Sequence, residues 1–227
     1  MGNKVKTVQS APKAPPSDLA RALVQRSAKR QDGHTVPVQH RSIDRNGVAT
    51  FGVDFSSAPV PIRRYPADFA DIVVKRGNAL MIFAQESVTG EIESALQIRM
   101  SRNAVADMVR VFEDDGKMNG QLAASIRTAE PEELTTVSQK PHQEAKVVAN
   151  FAAVAVAGLE TCIDFYHASA FALAATMGQN EELTVEPIVR VDMNTALFAP
   201  WLERLREVSA RLAKGPSGES DEQHAAI

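Results

Sequence analysis

Apolar and polar residues alternate in short runs through the middle of the chain, and twice give way to spacings of three and four. In "SALQIRMS", Leu96, Ile98 and Met100 alternate with Gln97 and Arg99, which predicts a strand with one wet face. Just before it, "DIVVK" and "ALMIFAQ" flank Arg76-Gly77-Asn78 and predict a hairpin. Earlier still, "TVPVQHRSI" and "VATFGVDFSS" flank "DRNG". Asn46-Gly47 tolerates positive φ, so residues 35–56 read as a leading hairpin. After the third strand Ser101 is placed to cap "RNAVADMVRVFEDD". That helix carries Val105, Met108, Val109 and Phe112 on one side, with Gly116 to end it. A second short helix, "GQLAASIRT", is expected before Pro131, and polar residues from 129 onward read as a linker.

The pattern then recurs. Ala67, Phe69, Ala70, Phe83 and Ser87 return 82 positions later as Ala149, Phe151, Ala152, Phe165 and Ser169. The apolar register agrees, with Ile72 matching Val154, Val74 matching Val156 and Met81 matching Ile163. After a loop nine residues longer, "IRMSRN" aligns with "VRVDMN", so that Arg99 meets Arg190 and Asn103 meets Asn194. A second amphipathic helix follows, "TALFAPWLERLREVSARL", with Pro200 expected in its first turn. In "EAKVVANFAAVAVAG" the alanines favour helix, while the register and the Val154/Val156 alternation favour strand. Packing in a sheet overrides intrinsic preference, so strand is expected. The predicted fold is α+β: two repeated antiparallel β-β-β-α units with a leading β-hairpin and disordered termini. The expected boundaries are an arm at 1–33, a first unit with its hairpin at 34–128, a linker at 129–146, a second unit at 147–213 and a tail at 214–227. Three strands and one helix bury little apolar surface alone, which explains why two copies would be joined.

In the second copy, Ala149-Asn150-Phe151, Ile163-Asp164-Phe165 and "PIVRVDMN" followed by an amphipathic helix resemble a small bacterial family known as domain of unknown function 3467. The resemblance covers about residues 65–115 and 147–210. Val148 stands in place of the family's tyrosine, and Thr195-Ala196 in place of a Pro-Glu helix start; the first copy has Asp68 for the asparagine and Ile82 for the aspartate. The family brings no catalytic residues to carry over.

Composition adds limits. The 227 residues are 44% hydrophobic but only 5% aromatic, so the core is mostly aliphatic. A net charge of −3 makes the chain as a whole no polyanion binder, and a single cysteine rules out an internal disulfide framework. No apolar run reaches the length of a membrane span, and "MGNKVKTVQSAPKAPP" lacks a secretory h-region. The expected location is the cytoplasm, with no membrane partner. Residues 1–31 hold seven basic side chains, Arg21, Arg26, Lys29 and Arg30 among them, against Asp18 alone. This segment reads as a flexible arm with a short basic helix, solvated or touching an acidic partner.

Chemistry-bearing residues are sparse. Cys162, Asp164 and Tyr166 alternate on one strand face while His167 falls on the other, so no Cys–His dyad is expected. His34, His40, His142, His167 and His224 show no ligand spacing, and no loop has the glycine spacing of a phosphate cradle. No catalytic, metal or cofactor site is expected. Arg99 and Arg190 stand out on the wet face of the third strands, suited to a cross-strand acid or to a partner's carboxylate. The expected function is non-enzymatic: an oligomerising assembly, adaptor or holdase-like protein working through sheet edges and helix faces, on a protein partner or on itself. The alternative is a DNA-binding regulator of ribbon-helix-helix type, in which Gln97 and Arg99 would enter the major groove. Residues 94–128 carry five basic against four acidic side chains, a thin charge for phosphate contact.

Overall fold

The computed structural model describes residues 34–43, 49–114, 124, 141–177 and 181–214. The basic arm with Arg21, Arg26, Lys29 and Arg30, the Asn46-Gly47 turn, the helix expected in "GQLAASIRT" and the C-terminal tail lie outside these residues. The chain is mixed α+β, with ten described strands in two sheets and three described helices. The strands are β1 His34–Ile43, β2 Ala49–Val53, β3 Arg64–Ala67, β4 Phe69–Lys75, β5 Asn78–Glu86, β6 Ile92–Ser101, β7 Gln143–Val148, β8 Phe151–Ala157, β9 Glu160–His167 and β10 Glu182–Asn194. The helices are α1 Arg102–Asp114, α2 Ala170–Met177 and α3 Thr195–Ala213.

One sheet runs β4-β5-β6-β7. The other runs β2-β1-β10-β9-β8, with β3 also on β10. The expected antiparallel hairpins are present, but two pairings are parallel: β3 with β10 and β7 with β6. These two strands are where the chain changes sheet. β3 ends at Ala67 in the larger sheet, and Phe69 begins β4 in the smaller. β7 ends at Val148 in the smaller sheet, and Phe151 begins β8 in the larger. Residues 143–146, assigned above to a linker, are therefore strand: Ala145 and Val147 turn toward the core while Glu144 is held at the surface by Lys146.

The two crossings are made alike. The Asp68 N–H donates to the Ala84 carbonyl, and an Asp68 carboxylate oxygen accepts from the Glu86 N–H at 3.1 Å. The Asn150 N–H donates to the Tyr166 carbonyl, and the Asn150 amide oxygen accepts from the Ala168 N–H at 2.8 Å. The ladders agree as well. Ala70 faces Phe83 and Ile72 faces Met81, while Ala152 faces Phe165 and Val154 faces Ile163, all at a shift of 82.

The third strands correct the sequence alignment. Arg190 faces Asp164, whereas Arg99 faces Leu80 and Gln97 faces Ile82. Ladder position by ladder position, Gln97 and not Arg99 corresponds to Arg190, at a shift of 93 instead of 91. The caps agree with the ladder: Ser101 Oγ accepts from the Ala104 N–H, and Asn194 Oδ1 accepts from the Ala196 N–H. A slip of two keeps every side chain on its own face, so hydrophobic alternation cannot detect it. Pro200 is the sixth residue of α3 and so lies beyond the first turn. Its missing N–H leaves the Ala196 carbonyl without its helical donor. Pro187 sits at a register shift in β10, where an absent donor costs no ladder bond.

Both sheets contribute to one core, which α1 and α3 also enter. At its middle the Phe83 and Phe165 rings lie 6.0 Å apart, and Phe83 lies 5.7 Å from Trp201. A second, smaller cluster on the opposite face of the larger sheet joins Val36, Tyr166, Ala168, Leu183 and Val185, with Phe55, Phe151 and Leu173 packed on it. Among the described residues no helix is long and apolar enough to cross a membrane.

Candidate functional site

A cleft of about 330 Å³ runs beside β8. Its floor is Asn150 to Val154, one wall is α1 through Ala104, Asp107, Met108 and Val111, and the other is the end of the leading hairpin through Val53, Asp54 and Phe55. The α1 residues fall at i, i+3, i+4 and i+7, a single helix face. Along β8, Ala152 and Val154 pack on the main core while Phe151 and Ala153 pack on the smaller cluster. The cleft therefore opens on the strand's edge, between two packed faces.

That edge has no strand partner among the described residues, because β8 ends the larger sheet. Its sequence, "FAAVAVA", contains neither a charge nor a proline, the usual protections of an exposed edge. β4 ends the smaller sheet and differs in charge and in cover. It carries Asp71 and Lys75, and α3 packs closely along it, whereas α1 touches β8 only thinly. Side-chain volume explains the difference. Counted from the capping residues, Ala104 and Met108 of α1 occupy the positions of Leu197 and Trp201 of α3. Leu197 and Trp201 are buried and fill the space on their side. An alanine and a methionine leave room on the other.

The walls carry charge. An Asp107 carboxylate oxygen accepts from Arg110 Nη2 at 2.9 Å, and both side chains are about half exposed. Burial pushes the Asp107 carboxyl up, and the Arg110 guanidinium offsets part of that rise. Asp54 is held below the usual carboxylate range because Oδ1 accepts from the Ser56 N–H at 2.8 Å. Phe55 is anchored beside it by ring contacts to Tyr166 at 4.8 Å and Phe151 at 5.7 Å.

Of the residues singled out in the sequence, Arg99, Arg190, Cys162, Asp164 and Tyr166 lie elsewhere, and Arg21, Arg26, Lys29 and Arg30 lie outside the described residues. Arg190 donates through Nε and Nη2 to the two oxygens of Asp164, at 2.6 and 2.7 Å, across the β9–β10 ladder. Tyr166 Oη donates to Asp164 at 3.5 Å. Burial pushes the Tyr166 phenol up to about 12, and the Asp164 charge adds to the rise. Burial also raises the Cys162 thiol, which favours the protonated, unreactive form. Next to this group Arg64 donates to Asp192 at 3.1 and 3.2 Å. Arg99 is exposed on β6, in register with Leu80 and Val148, and is not brought near Arg190. β6 has β5 along one edge and β7 along the other, so it has no edge free for a ribbon shared by two chains. The sequence reading missed the β8 cleft; the absence of charge in "FAAVAVA" was the available signal.

No protein-family model, no curated protein and no solved structure matches the chain.

Proposed function

We propose that the protein is a non-enzymatic adaptor, arisen by tandem duplication, that takes up an extended segment of a partner protein as an added strand along β8. The observation that carries this reading is a strand free of charged residues that ends the larger sheet among the described residues and lines an open cleft. An edge strand offers a row of main-chain donors and acceptors, and side-chain pockets beside it supply selection. The cleft volume, about 330 Å³, suits a few side chains of one strand and is too small for a second sheet with its own flanking helix. The duplication is supported by the matched ladders, the matched bonds of Asp68 and Asn150, and the matched exchange of β3 and β7 between sheets. The resemblance to domain of unknown function 3467 belongs to the same reading, because Asp68 and Asn150 occupy its asparagine position.

One experiment tests the site. Octapeptides are selected from a random display library on the full-length protein, and hydrogen exchange is read with and without them. Selected peptides are expected to slow exchange of amides within 151–157, and Ala153→Lys is expected to abolish that protection. Selected peptides that protect other segments equally well in the wild type and in Ala153→Lys would remove β8 as the working edge.

A further inference from the structure

The outward face of the smaller sheet has a regular layout. The registers put Val73, Leu80, Arg99 and Val148 in one row across β4, β5, β6 and β7, and Asp71, Ile82, Gln97 and Lys146 in the next. Side chains alternate along a strand, so both rows point away from the core that Ile72, Met81 and Ile98 enter. Val73 is 37% exposed and Val148 43%, while Leu80 and Ile82 are partly buried. None of these four enters either core cluster of the described residues. The larger sheet supplies a comparison. It packs part of its matching face against Phe55 and Leu173. Where the smaller sheet has Ile82 facing Gln97, it has the Asp164–Arg190 fork, and where the smaller sheet has Leu80 it has Cys162. Outward apolar side chains at these two places are therefore no requirement of the ladder.

The charges of the second row sit at its two ends, Asp71 on β4 and Lys146 on β7. We infer that the protein pairs with a second copy of itself through this face, the sheets stacked with strands aligned and Asp71 of each copy set against Lys146 of the other. A two-fold axis parallel to the strands does this, because it lays β4 on β7 and β5 on β6. An axis along the row, across the strands, would set Asp71 on Asp71 and Lys146 on Lys146, so charge selects the first arrangement. In it Val73 meets Val148 of the second copy, Ile82 lies over Gln97, and the aliphatic stem of Arg99 covers Leu80. Lys146 gives up an exposed contact with Glu144 at 2.9 Å, of a kind that contributes little. Four strands and three rows of outward side chains present roughly 400 Å² per copy. That is about half of a standard interface, so the pairing is of the weak, reversible class. It is independent of the strand-uptake reading, since β8 belongs to the other sheet.

The test is sedimentation equilibrium of the full-length protein from micromolar to near-millimolar concentration. The wild type is expected to exchange between monomer and dimer. Asp71→Lys and Lys146→Asp each place like charges at both contacts, and each is expected to weaken the dimer about tenfold at low salt, less at high salt. Mixed one to one, the two variants restore opposite charges at both contacts, so they are expected to form a heterodimer within about threefold of the wild-type affinity. Within one chain the two side chains lie three strands, about 14 Å, apart, so no contact inside a chain can give that rescue. Ile82→Lys is expected to stay monomeric throughout. Circular dichroism melts check that each variant keeps the fold. A wild type that stays monomeric at the top of the range overturns the pairing. So does a dimer that keeps its affinity in both charge variants, or one that they weaken and mixing does not restore. Strand uptake along β8 is untouched by any of these results.

Discussion

At the scale of single residues, the most consequential polar contact is the fork of Arg190 on Asp164. Asp164 is a buried carboxylate, 8% exposed, on a sheet face that also buries Tyr166. Two short charge-assisted bonds join it to Arg190, and the geometry leaves the guanidinium little freedom. Removing one partner strands the other. Arg190→Met is therefore expected to cost about 3 kcal/mol, because Asp164 keeps its desolvation without its counter-charge. Arg190→Met combined with Asp164→Leu is expected to recover most of that loss, since an apolar pair of similar volume needs no such compensation. Urea denaturation of the two variants decides it. Equal losses in the single and double variants would mean that the ion pair is not what matters at this position. Trp201 makes a complementary point: it is fully buried and its Nε1 has no partner among the described residues, so it is held there by volume against an orphaned donor.

Among elements, the difference between the α1–β8 and α3–β4 contacts is one of packing volume. If Ala104 and Met108 make the cleft, restoring bulk should close it. Ala104→Leu with Met108→Trp, the pair found on α3, is expected to keep or raise the melting temperature, because about 330 Å³ is available to receive the added atoms. The same variant is expected to lose peptide protection of β8. Destabilisation by several degrees with β8 still protected would show that the cleft is not set by these two side chains. Here the sequence is informative for half of the argument. Alternation gave β4 to β6; alternation together with the repeat register gave β8, β9 and the end of β10, and correctly outweighed helix propensity in "EAKVVANFAAVAVAG", which forms β7 and β8. It could not reveal β3 and β7 as exchanged strands. Each is only a few residues long, and each pairs with a strand of the other half, for which no local signal exists. The eight-residue helix α2, "AFALAATM", was likewise hidden in a segment read as loop. The cleft was hidden for a related reason. The small size of Ala104 and Met108 means nothing until the facing strand is known. The two-residue slip that paired Arg99 with Arg190 is invisible to a pattern of period two.

For the molecule as a whole, the exchanged strands decide how the protein can come apart. β3 lies in the first half of the chain but completes the sheet of the second, and β7 does the reverse. Arg64 and Asp192, joined across the β3–β10 ladder, are 128 positions apart in sequence. The core mixes both halves throughout: Phe83 against Phe165, Phe112 against Phe198, and α3 along β4. Residues of both halves share one core cluster. Two fragments, residues 34–114 and 141–214, are therefore each expected to show no cooperative thermal unfolding alone. Mixed in equal amounts, they are expected to recover native-like circular dichroism and a single transition. Joining two chains carries an association cost of several kcal/mol that the covalent protein escapes, so the recovered transition should move to higher temperature as concentration rises. Differential scanning calorimetry at two concentrations makes the comparison. A cooperative, concentration-independent transition in either fragment by itself would mean that one unit is self-sufficient, and that the exchange of β3 and β7 decorates the fold without holding it together.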